Sequence, residues 1–267
     1  MRSIRLIVTI LLVTSVLTMV GCQKKDSANT FTVGTIAGPE TQLMEVAANV
    51  AQEKYGLRVR IMQFSDYTMP NEALASGNLD ANMFQHAPYL QEVMAKRGYK
   101  LAIAGKAFLY PMGVYSRKIK EINQLKPGAT VAIPNDPSNE ARALLLLEKH
   151  GLIKLKAGVG TNALPGDIIS NPHSLVFKEL DASQLPRSLP DVDLAVINTN
   201  YAMLADLLSS RDALFIEDAS SPYVNLMVVR AGSEKDPRVQ HLIKALHSPE
   251  VLKEANKLFK GGAVAGW

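Results

Sequence analysis

The sequence has very little cysteine: Cys22 is the only one among 267 residues. A disulfide within the chain is therefore excluded. Sequence motifs of enzymes are missing as well, because the chain contains no G-x-S-x-G turn, phosphate-binding loop, H-E-x-x-H pair or paired C-x-x-C. The five histidines do not have the spacing of metal ligands. We therefore expect no catalytic residues, no metal and no cofactor, which favours a binding protein over an enzyme.

The single cysteine follows a segment that is typical of secretory signals. Arg2 and Arg5 precede an apolar run, Leu6 to Val20, and a small glycine stands before Cys22. The run is shorter than the roughly 20 residues that a membrane-spanning helix needs. The last four residues, Met-Val-Gly-Cys, resemble a lipobox. We predict a lipoprotein signal peptide over 1–21, lipid attachment at Cys22 and a flexible tether over 22–30. The alternative is a free, buried cysteine.

This N-terminal pattern predicts an exported protein. Its N-terminal lipid would anchor it to the cell membrane, on the periplasmic or outer-surface side. Loss of Arg2 and Arg5 with the signal would lower the formal net charge from +4 to +2, since no other charged residue precedes Cys22. The chain also lacks basic runs interleaved with aromatic residues. We therefore expect no nucleic-acid partner.

Strand and helix patterns alternate along the rest of the chain. This alternation predicts an α/β fold with mostly parallel sheets. Two segments, Leu101 to Ser116 and Ala213 to Arg230, contain no helix pattern between their apolar stretches. We interpret them as two crossover strands that join two lobes, with a ligand cleft between the lobes. The first lobe is predicted at 31–111 plus 223–267, and the second lobe at 112–222.

Arg142 is the first residue that the sequence singles out for binding. We place it in the first turn of a helix that follows the strand Thr130 to Ile133. Ligands of parallel sheets bind at the carboxyl ends of strands, and a helix N-terminus favours an anion there. A guanidinium group can hold a carboxylate with two hydrogen bonds. The alternative is a surface arginine paired with Asp136 or Glu140.

Polar and aromatic residues at other strand ends form a second set of candidates. Asn198 and Asn200 follow another strand and begin a helix, so their alternative role is helix capping. Asn225 lies within an apolar strand and needs a hydrogen-bond partner if it is buried. An aromatic group could build an apolar pocket, its alternative being ordinary core packing. This group comprises Tyr67, Phe84, His86 and Tyr89.

Four segments of the chain together resemble the NlpA family, the methionine-binding lipoproteins of ABC importers. They are residues 63–90, 133–142, 184–189 and 196–201, and the likeness extends to the C-terminal glycines. The resemblance implies a two-lobed type-II periplasmic-binding fold. It implies that Arg142 pairs with the ligand carboxylate and that Asn200 and Asn225 bind its polar groups. The four aromatic residues would surround a thioether, and Asn139 and Asn198 are further positions carried over from the family.

The function implied by the resemblance is capture of methionine and its delivery to a permease with its ATPase. Within the same class, the ligand could instead be another amino acid or a short methionine-containing peptide. A surface adhesin with the same fold is a different class of alternative. A third class is an exported hydrolase that uses His86, although no nucleophile is visible beside it in the sequence.

Overall fold

The computed structural model describes residues 30–260 and 262–267. The predicted signal peptide, Cys22 and nearly all of the predicted tether lie outside the described residues. The described chain alternates strands with helices and builds two main β-sheets. The predicted two-lobed α/β fold is confirmed.

The strands, in chain order, are β1 (Thr30–Ile36), β2 (Arg58–Phe64), β3 (Ala81–His86), β4 (Leu101–Leu109), β5 (Gly113–Tyr115), β6 (Thr130–Pro134), β7 (Lys154–Leu155), β8 (Ile168–Ser170), β9 (Val176–Leu180), β10 (Leu194–Ile197), β11 (Ala213–Ile216), β12 (Val224–Arg230) and β13 (Val264–Ala265). The helices are α1 (Pro39–Tyr55), α2 (Met69–Ala75), α3 (Ala87–Arg97), α4 (Pro137–Lys149), α5 (Leu185–Ser188), α6 (Thr199–Leu204), α7 (Ser209–Asp212), α8 (Pro237–Leu246) and α9 (Pro249–Phe259).

The first sheet has the strand order β13-β4-β12-β3-β1-β2, and the second has the order β11-β5-β10-β6-β9. In the first sheet, β1 is parallel to β2 and β3, whereas β12 is antiparallel to β3 and β4. In the second sheet, β6 is parallel to β9 and β10. Strands β7 and β8 form a separate two-stranded ladder. The parallel strands bring their carboxyl ends to one edge of each sheet, where ligands of such sheets bind.

The chain passes between the two sheets twice. The outgoing link, 110–112, joins β4 to β5, and the return link, 217–223, joins β11 to β12. Each predicted crossover strand is therefore two shorter strands in different sheets. Proline explains the interruptions, because Pro111 and Pro222 have no N–H to donate to a neighbouring strand. We propose that the two lobes divide within these links.

Each sheet packs its own helices around an apolar core. The first core joins α1 and α8 to β4 and β12 through Leu43, Phe108, Met227 and Leu242. The second joins α4 to β6 and β10 through Val131, Leu144 and Val196. Among the residues that the structure describes, none of the helices combines the length and hydrophobicity that a membrane span requires.

A third apolar cluster connects the two lobes. It contains Ile36 and Phe84 from the first sheet together with Ile197 and Tyr201 from the second-sheet region. Gly38 shows how closely the lobes approach, because a Cβ atom there would lie 2.9 Å from Cδ2 of Leu204. The φ angle of Gly38 is also 113°, which side-chain-bearing residues rarely adopt. The cleft between the lobes is therefore closed in this structure.

Candidate functional site

The cleft encloses a small cavity, of about 20 Å³, at the carboxyl ends of parallel strands from both sheets. The four helices α1, α3, α4 and α6 each begin within three residues of the end of a preceding strand, and their first turns supply much of the wall. The lining residues are Glu40, Tyr67, Phe84, Gln85, His86, Tyr89, Tyr110, Asn139, Arg142, Asn198, Thr199, Asn200 and Asn225.

All nine residues that the sequence singled out for ligand binding line this one cavity. Four further lining residues were missed: Glu40, Gln85, Tyr110 and Thr199. Glu40 carried the same signal as the residues that were found, because it lies in the first turn of a helix directly after a strand. Inspecting the first turn of every helix that follows a strand would therefore have identified Glu40 as a candidate. Tyr110 follows the end of β4, and Gln85 belongs to a buried amide network with Asn71.

Arg142 is buried and lies in the second turn of α4, not in the first turn as predicted. The difference arises because Asp136 caps α4 by accepting a hydrogen bond from the N–H of Asn139, so the helix begins at Pro137. Arg142 is therefore farther from the free N–H groups at the start of α4 than the sequence predicted. What positions Arg142 is its set of hydrogen bonds to the two links.

Arg142 pairs with Glu217 rather than with Asp136 or Glu140. Its Nε donates to Oε1 of Glu217 at 2.8 Å, and its Nη2 donates to Oε2 of the same carboxylate. Nη2 also donates to the carbonyl of Tyr110 at 3.0 Å, and the ring of Tyr223 lies 4.6 Å from the guanidinium carbon. The side chains of Arg142 and Glu217 are only 4% and 9% exposed. Arg142 is thus a buried cation held between the outgoing and return links.

His86, Asn139 and Asn198 form a hydrogen-bonded chain across the cleft. The Nδ2 group of Asn198 donates to Oδ1 of Asn139 at 2.9 Å, and Nε2 of His86 lies 3.3 Å from the same oxygen. The other ring nitrogen of His86 accepts from the N–H of Tyr89, so the proton belongs on Nε2. Burial, and secondarily the charge of Arg142, lowers the pKa of His86 to about 3. His86 is therefore a neutral donor.

Asn198 occupies the N-cap position of α6, but its side chain makes no capping hydrogen bond. The helix-cap alternative is thus wrong for Asn198, whose side-chain amide donates to Asn139 instead. Asn200 accepts a hydrogen bond of 2.7 Å from the hydroxyl of Tyr67, which reaches across from the other lobe. The hydroxyl of Tyr201 likewise donates to the carbonyl of Ser65 at 3.3 Å.

Asn225 has a protein partner that the sequence did not reveal. Its Nδ2 donates to Oε1 of Glu40 at 2.7 Å. Glu40 is only 2% exposed, and burial raises its pKa to about 8, against the opposing effect of this hydrogen bond. Asn225 therefore holds one oxygen of a carboxyl group that burial keeps largely protonated at neutral pH.

The predicted aromatic residues form one side of the cavity. The rings of Tyr67 and Phe84 lie 5.9 Å apart, those of Phe84 and Tyr89 lie 5.8 Å apart, and those of His86 and Tyr89 lie 6.4 Å apart. Phe84 and Tyr89 also belong to the apolar cluster between the lobes. These two rings therefore both pack in the core and line the cavity. The ring faces that the four residues present are apolar, and their polar atoms, the hydroxyls of Tyr67 and Tyr89 and the ring nitrogens of His86, are hydrogen-bonded within the protein.

Several polar atoms of the cavity residues are buried without a hydrogen-bond partner in the described part of the chain. They are Oε2 of Glu40, the hydroxyl of Tyr110, Oδ1 of Asn198 and Nδ2 of Asn200. Buried polar groups are nearly always hydrogen-bonded, because an unpaired one costs about 1–3 kcal/mol. Asn198 offers an acceptor, Asn200 a donor and Tyr110 a hydroxyl, whereas Oε2 of Glu40 donates when it is protonated and accepts when it is ionised. Together they point to a small ligand with both kinds of polar group. Within residues 30–260 and 262–267, no cluster of three or more His, Cys, Asp or Glu could hold a metal ion.

Comparison with known proteins finds relatives that are lipoproteins or substrate-binding proteins. The family model described as NlpA lipoprotein matches residues 31–267. The D-methionine-binding lipoprotein MetQ of Salmonella typhimurium is 52% identical over 94% of both chains. A structure of an ABC transporter periplasmic substrate-binding protein from Coxiella burnetii is 60% identical, with a TM-score of 0.87 over 88% of this chain and all of its own. A nutrient-binding protein from Burkholderia cenocepacia, bound to methionine, is 53% identical, with a TM-score of 0.87 over 89% of this chain and 100% of its own.

Proposed function

The chain belongs to the NlpA lipoprotein family, and from this premise we propose that it is the substrate-binding lipoprotein of an ABC importer. It captures methionine between its lobes and delivers it to a membrane permease driven by an ATPase. The observation that carries the proposal is the meeting of unpaired polar atoms and aromatic rings in one closed cavity. An amino acid with an uncharged side chain supplies the matching donors, acceptors and apolar surface.

The backbone groups of the ligand face the polar part of the cavity. Nη1 of Arg142 meets the ligand carboxylate, because Nε and Nη2 already donate to Glu217 and Tyr110. The amide of Asn200 adds an unpaired donor, and Asn198 adds an unpaired acceptor. This polar set fixes the orientation of any α-amino acid and leaves its side chain directed to the rings.

The aromatic wall favours an unbranched, uncharged side chain. A thioether gains from contact with ring edges, which is worth about 0.3–1.5 kcal/mol. A charged side chain would lose its hydration there without gaining a partner. Selectivity among apolar amino acids therefore rests on shape, with sulfur adding a small preference for methionine over norleucine.

Delivery depends on opening and closing of the lobes. Hydrogen bonds between the lobes, such as Tyr67 to Asn200 and Tyr201 to Ser65, hold the closed form. A ligand that contacts both lobes shifts the equilibrium toward closure, and the permease would recognise that form. The lipid on Cys22 would keep the protein near the permease.

The other classes considered from the sequence have less support. A hydrolase would need a nucleophile beside His86, whereas the described partners of its ring nitrogens are Asn139 and the N–H of Tyr89. An adhesin would have no need of the buried polar set. The competing ligands are a different amino acid and a short methionine-containing peptide. Mass measurement of a co-purified ligand distinguishes both of them from methionine.

The test begins with native mass spectrometry of purified protein, in which a co-purified ligand identifies itself by mass. The protein is then stripped by partial unfolding and refolding, and its melting temperature is measured with L-methionine, D-methionine, norleucine, lysine and glutamate. A thousandfold excess over Kd stabilises by about 4 kcal/mol, which is roughly 8–16 °C for a chain of this size. Methionine should give the largest shift and norleucine a smaller one. Equal shifts with lysine or glutamate would refute the proposal.

A further inference from the structure

Glu217 lies outside the cavity lining but holds one edge of the guanidinium group of Arg142. Its two carboxylate oxygens accept from Nε and Nη2 of Arg142, and Nη2 also donates to the carbonyl of Tyr110 at 3.0 Å. These bonds use three of the five N–H groups that a guanidinium offers. Among the described residues, none accepts from Nη1, so its N–H groups are left for a ligand.

Glu217 also fastens the two links to each other. Its N–H donates to the carbonyl of Met112 at 2.9 Å, and the N–H of Met112 donates to Oε2 of Glu217 at 2.9 Å. This reciprocal pair joins the return link to the outgoing link. Since the same carboxylate holds Arg142 on α4, one side chain fixes the guanidinium group relative to both links. The direction of Nη1 is therefore set by the protein and does not depend on the ligand.

An open hollow of about 310 Å³ lies next to this ion pair and gives Arg142 an alternative position. The hollow is lined by Arg142, Glu217 and Tyr223, and it opens to solvent beside the exposed residues Asp218 and Ser220. A buried guanidinium group without an anion would gain hydration by turning toward such a space. Glu217 opposes that turn, because a carboxylate that accepts two parallel hydrogen bonds fixes both the position and the plane of a guanidinium group.

We propose that Glu217 is a positioning residue for ligand binding, which acts through Arg142 by keeping Nη1 directed at the ligand carboxylate before the ligand enters. A preorganised donor loses less conformational freedom on binding, and this raises affinity. The inference rests on the proposed function, because it assumes a ligand whose carboxylate meets Arg142. Loss of Glu217 should therefore weaken the binding of ligands that carry a carboxylate and leave the binding of other ligands nearly unchanged.

The test is calorimetric titration of ligand-stripped wild-type protein and Glu217→Gln with methionine and with methioninol. Methioninol has a hydroxymethyl group in place of the carboxylate and keeps the ammonium group and the thioether. The glutamine has one acceptor oxygen, so it cannot hold both Nε and Nη2 of Arg142. Affinity for methionine should fall at least about tenfold, whereas affinity for methioninol should change by less than about threefold. Glu53→Gln, in the exposed part of α1, is the matched control and should alter neither affinity.

Two outcomes of this titration would overturn the inference. An equal loss of affinity for both ligands would show that Glu217 only supports the fold. Unchanged or tighter binding of methionine would show that Glu217 only balances the charge of Arg142. A variant cycle adds a third condition: in the Arg142→Met background, Glu217→Gln should change methionine affinity by less than about threefold, because its target is already gone. A further tenfold loss there would contradict action through Arg142.

A measurement on wild-type protein decides the matter even if Glu217→Gln fails to fold. In protein labelled with ¹⁵N-arginine, the Nε–H signal of Arg142 is identified by its loss in Arg142→Met. It should exchange slowly with water in ligand-free protein as well as in the complex with methionine, because Glu217 accepts from it in both. Slow exchange in the complex alone would overturn this inference and leave the proposed function intact. Absence of methionine binding to wild-type protein would overturn both.

Discussion

Replacing Arg142 with methionine should have two separable effects, one on binding and one on stability. Methionine keeps much of the side-chain volume and removes the charge. The ligand carboxylate would lose its cation, which for a buried pair costs about 2–5 kcal/mol. At about 1.4 kcal/mol per decade, binding should weaken by roughly 30-fold to several thousandfold.

The same substitution also leaves the Glu217 carboxylate buried without its partner. Among the described residues, the side chain of Glu217 would then keep the hydrogen bond from the N–H of Met112, at 2.9 Å, as its one partner. Breaking a buried ion pair by removing one partner costs about 3–5 kcal/mol of folding stability. The double variant Arg142→Met, Glu217→Gln removes both charges, so it should recover much of that stability. It should not recover binding, because the guanidinium group is still missing.

The assay combines urea unfolding with calorimetric titration of ligand-stripped proteins. Arg97→Met is a suitable control, because Arg97 is exposed and lies in the last turn of α3, away from the cavity lining. The control should match wild-type protein in both measurements. If the double variant bound methionine within about threefold of wild-type protein, Arg142 would not be the carboxylate receptor. If it were no more stable than the single variant, the account of Glu217 as an unpaired buried charge would be wrong.

Three further predictions concern separate features. Tyr67→Phe removes the hydrogen bond to Asn200 across the cleft, so ligand affinity should fall by about two- to tenfold in calorimetry, with melting of the ligand-free protein little changed; an unchanged Kd would contradict this. His86, whose pKa is lowered to about 3, should show constant imidazole NMR shifts from pH 5 to 8, and its contribution to stability should be lost as pH falls from about 6.5 towards 3; a titration near pH 6.5 would show that the ring is exposed. Cys22→Ala should abolish acyl mass and membrane association of the full chain, and recovery of the variant with the same lipid mass would rule out lipidation at this residue.

Local sequence signals were enough to single out most of the residues that line the cavity. The ends of β6 and β10 marked where candidate residues lie, although the start of α4 at Pro137, capped by Asp136, was placed too late in the chain. Since parallel strands end on one edge, residues at those points had to converge. The shortest elements were not predicted, namely the β7–β8 ladder and the C-terminal strand β13, because two or three residues are too few to show a period.

The sequence by itself determined the alternation of strands and helices and the strand-end positions of the candidate residues, and it alone carries the prediction of a signal segment that ends beside Cys22. These properties depend on neighbouring residues, which share a helix face, a strand period or a cap. The tertiary structure alone decided the pairing of Arg142 with Glu217, which lie 75 positions apart, and that of Asn225 with Glu40, which lie 185 positions apart. It also decided that the pKa of Glu40 is raised, because the pKa of a buried acid depends on the burial and partners that distant segments provide.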